Sequence, residues 1–126
     1  TGALLVFSRY FDEDYYQTSG TMIDAPVSKR LLESIFFKNS PLHDGAVIIV
    51  DDRIMTASSV LPLSDSEDLP PQFGLRHRAA IGVTEVSEAV AVIVSEETGE
   101  ISFAKDGNIN MNLTADELEK ILAEEL

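Results

Sequence analysis

Residues 40–50, SPLHDGAVIIV, join a buried strand to a pair of titratable side chains, and the fold can be worked out from them. The run 47–50 is unbroken, apolar and β-branched, which is typical of a strand buried on both faces. His43 and Asp44 lie directly before it. A charged group next to a buried strand either pairs with another polar group or has a functional role. Gly45 allows a ligand or another backbone to come close. The alternative is an ordinary turn, because Asp-Gly is a common turn pair.

Further apolar runs at 3–7, 54–61, 89–94 and 101–104 predict other strands on both sides of this one in the chain. One helix is predicted from its cap at Ser28 to about residue 37, one over 74–83, and one behind a capping box formed by Thr114 and Glu117. Polar residues predict a loop or short ribbon over 9–20 and a surface loop or flap over 62–72.

Strands that alternate with helices, and that are continuously apolar, are typical of a sheet covered on both faces. Tight turns such as 51–52 and 106–107 predict hairpins, so the sheet is expected to be mixed. We therefore predict an α/β (α+β) fold, with one domain over 1–126 and a central mixed, twisted β-sheet flanked by helices on both faces.

The composition limits the partners that this chain can have. With 126 residues and 44% hydrophobic content it can bury one core, and its net charge of -13 repels nucleic acid and anionic membrane. An anionic ligand therefore needs local arginine or lysine, or a bound cation. The absence of Cys excludes disulfides and thiolate metal sites, and no apolar run is long enough to span a membrane. Because the first residue is Thr, we expect a processed or excised piece.

A second unusual stretch is Arg76-His77-Arg78, at the start of a predicted helix. Residues two apart on a helix point about 200° away from each other. The two arginines are therefore expected to differ in role, one anchoring the helix to a carboxylate and the other meeting an anion. Free helix N–H groups beside an arginine form a phosphate site. The alternative is a salt-bridged surface turn.

A third stretch, Ser95-Glu96-Glu97, follows a buried strand as the His-Asp pair precedes one. A carboxylate here could hold a divalent cation together with Asp44, and hard oxygen ligands suit Mg²⁺ or Mn²⁺. The alternative is a solvated hairpin turn. The sequence contains no Walker A loop, no Gly-x-Gly-x-x-Gly and no Gly-x-Ser-x-Gly elbow.

In this order, the three stretches resemble the diadenylate cyclase domain, a family that condenses two ATP molecules into cyclic di-AMP. The signatures of that family are Asp-Gly-Ala and Arg-His-Arg, here Asp44-Gly45-Ala46 and Arg76-His77-Arg78. The flanking residues 39–43, 61–64, 79–82 and 94–99 match as well, so that the resemblance covers essentially the whole chain. It is greatest to the membrane-anchored type, whose transmembrane helices precede the cyclase domain and are not in this chain. This implies bacterial second-messenger signalling at the cytoplasmic side of the cell membrane.

The resemblance also implies a role for each matching residue. Asp44 would lie near the ribose 3′-hydroxyl and the metal, and Gly45 and Ala46 would let the nucleotide lie close to the backbone. The remaining assignments are catalytic roles at the phosphate and ribose for Arg76, His77 and Arg78; nucleotide contacts for Leu61 (an apolar wall for adenine), Leu75 and Ser95 (phosphate); and metal binding for Asp44, Glu97 and His43, with Mg²⁺ or Mn²⁺ as the ion.

The implied enzyme is a nucleotidyltransferase with ATP as its substrate. Each domain holds one ATP, and two domains meet face to face so that each 3′-hydroxyl attacks the other α-phosphate and two pyrophosphates leave. Leu75 departs from the pattern, because many members have Thr there, whose hydroxyl can reach phosphate. That departure keeps open a catalytically weakened nucleotide-binding or regulatory module. A metal-dependent phosphohydrolase is a third reading.

Overall fold

The computed structural model describes residues 2–9, 20–64, 69 and 73–126. In these residues, strands and helices alternate along the chain. They are β1 (Ala3–Ser8), β2 (Thr21–Pro26), α1 (Lys29–Phe36), β3 (Ala46–Val50), β4 (Arg53–Ser59), α2 (Leu75–Val86), β5 (Val90–Val94), β6 (Ile101–Lys105), β7 (Asn108–Leu113) and α3 (Ala115–Glu125).

The strands form one seven-stranded sheet in the order β2-β4-β3-β1-β5-β6-β7. β1 and β3 pair in parallel, and the other neighbouring strands pair antiparallel, which confirms the mixed sheet. β3 lies in the interior of the sheet, and all five of its residues are buried. Its continuous apolar sequence is explained by this position, since both of its faces are covered.

Helices cover both faces of the sheet, as predicted. α2 packs on one face, where Ala79, Ala80 and Val83 join the core of β1, β3 and β5. α1 packs on the other face through Ile35 and Phe36. α3 lies on that second face over β5 and β6, and the side chains that it contributes are half-buried: Leu118, Ile121 and Leu122.

The predicted caps of α1 and α3 are both present. The Ser28 hydroxyl accepts a hydrogen bond of 3.0 Å from the N–H of Leu31. The Thr114 hydroxyl accepts from the N–H of Glu117, and the Glu117 carboxylate accepts from the N–H of Thr114, which completes the capping box. The bond from the Thr114 backbone also lowers the pKa of Glu117 below its ordinary value.

Two strands were missing from the sequence prediction, β2 (TMIDAP) and β7 (NINMNL). They lie at the two edges of the sheet, and most of their residues are exposed. β2 shows no alternation of apolar and polar residues, so it lacks the pattern that identifies a strand in a sequence. β7 does alternate, with Ile109, Met111 and Leu113 between asparagines, and this signal was missed. α2 also extends to Val86, beyond the predicted end at 83. The predictions for 10–19 and for most of 65–72 lie outside the described residues.

Candidate active site

The three stretches that were predicted to carry chemistry meet at one end of the strands. We call this end the motif edge; it is distinct from the edge strands β2 and β7. Ala3, at the start of β1, lies beside Val94 at the end of β5, and Leu5 lies beside Val47 of the parallel strand β3. Ala46, at the start of β3, lies beside Ser59 at the end of β4. The starts of β1 and β3 therefore share an edge with the ends of β4 and β5. Asp44 precedes β3 and Ser95 follows β5, and these two strands are two places apart, a separation of roughly 10 Å across the sheet.

Gly45 brings two backbones together at this edge. Its φ is +84°, and a Cβ on it would lie 2.8 Å from the carbonyl oxygen of Ser59 and 2.9 Å from the carbonyl carbon of Ser58. Of the two predicted reasons for this glycine, a ligand or another backbone, the structure supplies the backbone of β4. Asp44 is exposed beside it, and its Oδ1 accepts a hydrogen bond of 3.1 Å from the N–H of Gly45.

His43 is held in one tautomer by its own loop. Its Nδ1 lies 2.8 Å from the carbonyl oxygen of Ser40. A carbonyl can only accept, so Nδ1 carries the proton and the neutral ring offers a lone pair at Nε2. A histidine that ligates a metal through one nitrogen commonly donates from the other to a carbonyl. The loop therefore prepares Nε2 of His43 to accept a proton or to ligate a metal.

Arg76 is the arginine that anchors α2. Its Nη1 lies 3.4 Å from Oε2 of Glu96, and its side chain is 23% exposed. The guanidinium lies against Gly2, where a Cβ would come within 2.7 Å of Nη1. The sequence predicted that one arginine of the motif would pair with a carboxylate, and the structure identifies the pair.

Arg78 is placed differently. It is half-buried, and none of the ion pairs among the described residues includes its guanidinium. Its carbonyl accepts a hydrogen bond of 3.0 Å from the N–H of Ser64, which ties the segment after β4 to α2. Contact of Arg78 with an anion stays a prediction.

His77 lies between these arginines and stacks on an aromatic ring. Its centroid is 5.2 Å from that of Phe73, with 16° between the ring planes. Burial lowers the pKa of His77 below its ordinary value, against an opposing effect of the Glu100 charge. This shift favours the neutral form of His77, which can serve as a hydrogen-bonding group. Phe73 was not singled out in the sequence, although an aromatic residue four positions before a helical histidine was a usable signal.

The three apolar residues assigned to nucleotide contacts have very different exposure. Leu75, the first residue of α2, is 71% exposed. Leu61 is only 6% exposed and packs in the core on the α2 face of the sheet, and Ala46 is fully buried. Leu61 therefore offers a base little surface in this structure, and its role as an apolar wall for adenine stays a prediction. Ala46 can meet a ligand only through its backbone.

Ser95 and Glu97 lie in a tight turn between β5 and β6. The Ser95 carbonyl accepts a hydrogen bond of 3.0 Å from the N–H of Gly99, and the Ser95 N–H donates to the Glu100 carbonyl at 2.9 Å. The Ser95 hydroxyl lies 3.4 Å from the N–H of Thr98. Glu97 is exposed. This turn places the Ser95 hydroxyl and the Glu97 carboxylate at the end of the strands that carries Asp44.

The candidate metal ligands do not form a cage. In the described ranges no group of three or more His, Asp or Glu side chains is placed to hold a metal ion. Asp44, His43 and Glu97 are thus not gathered into a complete protein site. Mg²⁺ is usually bound by one or two carboxylates together with waters and substrate phosphates. Asp44 and Glu97 are both exposed, so each carboxylate is accessible to an ion that enters with a nucleotide.

A cavity of about 540 Å³ lies at the opposite end of the central strands from the motif edge, against Ser8, Asp51 and Val90. None of the motif residues lines it. Among the described residues, no helix combines the length and apolar character needed to cross a bilayer.

Comparison with known proteins identifies relatives of this chain. Residues 1–109 match the family model DAC, described as DisA bacterial checkpoint controller nucleotide-binding. A protein of Listeria monocytogenes named diadenylate cyclase is 47% identical over 125 residues, which is 99% of this chain and 46% of that protein. Cyclic di-AMP synthase CdaA of Bacillus subtilis is 44% identical over 124 residues, which is 98% of this chain and 45% of that protein.

Solved structures agree with these relatives. A crystal structure of a double mutant of DacA from Staphylococcus aureus matches with a TM-score of 0.93 and 46% identity, covering 98% of this chain and 83% of that one. A Bacillus cereus structure, described as that of a hypothetical membrane spanning protein, matches with a TM-score of 0.82 and 42% identity, covering 90% of this chain and 55% of that one. The chain spans about half the length of the curated relatives that it matches.

Proposed function

The chain belongs to the diadenylate cyclase (DAC) family, and on that premise we propose that residues 1–126 are the catalytic domain of a diadenylate cyclase. Its substrate is ATP, and its products are cyclic di-AMP and two pyrophosphates. The proposal is supported by the sheet register, which puts Asp44, before β3, and Ser95, after β5, at the same end of the strands, and by the ion pair of Arg76 with Glu96, which joins the helix that carries Arg78 to that end. A carboxylate, a hydroxyl and an arginine are groups that can position and stabilise a triphosphate in phosphoryl transfer.

Each bond-forming step joins the 3′-oxygen of one ATP to the α-phosphorus of the other. The bond from that phosphorus to the bridging oxygen breaks, pyrophosphate leaves, and the hydroxyl proton is released. The same step in the other direction closes the ring. Catalysis of this kind consists mostly of positioning and charge stabilisation.

The side chains of this chain divide that work. Asp44 holds the attacking 3′-hydroxyl and accepts its proton, while Arg78 faces the phosphate charge. Neutral His77 and the hydroxyl of Ser95 provide hydrogen bonds, and the backbone at Gly45 and Ala46 borders the nucleotide. Asp44, Glu97 and Nε2 of His43 are the side-chain ligands that would hold a divalent cation, Mg²⁺ or Mn²⁺, and such an ion would supply positive charge at the triphosphate.

One such edge holds one ATP, so the reaction requires a second copy of the domain facing the first. The net charge of -13 restricts where ATP can bind. A chain this acidic attracts an anionic nucleotide only where arginine and a cation act locally. Attachment to the cytoplasmic side of the cell membrane, through a segment outside this chain, is part of the same proposal.

A second candidate is a nucleotide-binding or regulatory module with weakened turnover. It is favoured by Leu75, which exposes an apolar side chain where many members present a hydroxyl. A missing hydrogen bond costs on the order of 1 kcal/mol, which weakens binding without removing the groups that perform the chemistry.

Substitution at the two ends of β3 tests the proposal. Asp44→Asn removes a carboxylate at the motif edge, and Asp51→Asn makes the same chemical change just beyond the other end of the strand, where asparagine tolerates the φ of 51°. We expect Asp44→Asn to retain ATP binding and lose cyclic di-AMP formation, and Asp51→Asn to keep both. Near-normal turnover in Asp44→Asn would refute the role of that carboxylate.

A further inference from the structure

The Arg76–Glu96 ion pair joins two of the three stretches that form the site. Arg76 lies in the first turn of α2, between the N-cap Gly74 and Arg78. Glu96 lies between Ser95 and Glu97 in the turn that follows β5. The ion pair of 3.4 Å is thus a direct side-chain link between the helix that carries Arg78 and the turn that carries a hydroxyl and a carboxylate.

Gly2 completes this contact. A Cβ at Gly2 would lie 2.7 Å from Nη1 of Arg76 and 3.0 Å from Cβ of Glu96. The start of β1 therefore packs closely against both partners of the ion pair. Arg76 Nε is buried with no hydrogen-bond partner among the described residues. Within that part of the chain, the guanidinium is held by the contact of Nη1 with Glu96.

We propose that Glu96 is a positioning residue of the cyclase site, which acts through Arg76 to fix the 95–97 turn against the first turn of α2. The inference rests on the proposed function and goes beyond it, because Glu96 was assigned no role there. It also changes the role of Arg76, which was predicted to act at the phosphate. With Arg76 engaged by Glu96, Arg78 is the arginine of the motif that meets the anion.

A positioning role is chemically reasonable for this turn. Misplacement of a binding group by about 1 Å can lower a rate by two orders of magnitude, because the reacting atoms must stay aligned. Ser95 and Glu97 lie in a short turn, and Glu96 is 59% exposed. Its link to a largely buried arginine is the contact that restrains the turn from the α2 side.

A double-mutant cycle tests the inference. Arg76→Gln, Glu96→Gln and the double variant are compared with wild type for kcat and KM of cyclic di-AMP formation and for the urea midpoint of unfolding. The control cycle uses Asp24→Asn and Arg53→Gln, which removes an exposed ion pair of 2.9 Å between β2 and β4. Asp24 has a φ of 52°, which asparagine accepts.

We expect each single variant to lower kcat/KM by roughly tenfold, and the double variant to lose no more than either single variant, because residues that act through each other are not additive. The control cycle should leave kcat/KM within about twofold, as expected for an exposed pair. A purely structural role would lower the unfolding midpoint and leave kcat and KM of the folded protein unchanged. Unchanged activity in Glu96→Gln, together with a large loss in Arg76→Gln, would overturn the inference and return Arg76 to direct contact with substrate.

Amide hydrogen exchange separates this inference from the proposed function. Exchange in 95–100 should become faster than in wild type in both single variants. In the double variant it should be no faster than in either single variant, whether or not the wild-type chain makes cyclic di-AMP. A wild type that makes no cyclic di-AMP would refute the proposed function alone. Unchanged exchange in 95–100 in Glu96→Gln would refute the positioning inference alone.

Discussion

Gly45→Ala tests how the Asp-Gly-Ala motif is built. The φ of +84° at Gly45 lies in a region that costs an L-residue about 1–2 kcal/mol. The added Cβ would also lie 2.8 Å from the carbonyl oxygen of Ser59, in a backbone that is fixed by the pairing of β3 with β4. Overpacking of this kind costs about 1–3 kcal/mol. The free energy of unfolding should therefore fall by about 2–5 kcal/mol, the sum of the two costs.

Gly99→Ala is the matched control for this substitution. Gly99 has a φ of +74°, but a Cβ there would meet nothing within 4 Å. It therefore carries the conformational cost of about 1–2 kcal/mol without the overlap. Urea denaturation of both variants gives the two losses, and their difference isolates the contact between Gly45 and β4.

Equal losses in the two variants would refute the reasoning. They would mean that the close approach of β4 does not require a glycine at position 45. A Gly45→Ala variant that is as stable as Gly99→Ala but no longer binds ATP would instead assign the glycine to the nucleotide.

Three further predictions concern individual side chains. Because burial lowers the pKa of His77 below 6.5, the unfolded chain binds the proton more readily than the folded chain, and the free energy of unfolding should fall as pH drops below 6.5. His77→Gln should reduce this dependence of the free energy of unfolding on pH, measured by urea denaturation at several pH values; an unchanged dependence would contradict the prediction. Thr84→Val should cost about 1–3 kcal/mol by leaving the N–H of Gly107 without its 3.0 Å partner, whereas Thr84→Ser should keep the bond, and equal midpoints for the two variants would speak against it. Leu75→Thr should tighten ATP binding by roughly fivefold, equivalent to about 1 kcal/mol, in equilibrium titration; weaker or equal binding would show that the missing hydroxyl is not what distinguishes this site.

The centre of the sheet could be predicted from sequence because its residues are too apolar to be exposed to water. The run in β3 is apolar at every position, which fits a strand that is covered on both faces. The edge strand β2 is mostly exposed and its sequence shows no period of two, so its pairing with β4 is what identifies it as a strand. β7 is also mostly exposed, but it alternates apolar and polar residues directly after the turn at 106–107, and it could have been predicted.

In the candidate site, too, some features could be predicted from sequence and others could not. Helical geometry was sufficient to predict different roles for Arg76 and Arg78, since it depends only on their spacing. Which carboxylate Arg76 would choose depends on how the turn at 95–99 is oriented, and adjacent Glu96 and Glu97 are chemically identical. The burial of Leu61 depends on where α2 packs, and a sequence does not report that position.

We propose that this chain joins two ATP molecules into one cyclic dinucleotide. The most direct test is to incubate the purified chain with ATP and Mg²⁺, and in parallel Mn²⁺, at low and high protein concentration, and to identify the products by mass. We expect cyclic di-AMP and pyrophosphate, with a rate per chain that rises with protein concentration because two copies must meet. ADP or AMP without a cyclic dinucleotide would contradict the claim, as would bound ATP that stays unchanged at high protein concentration.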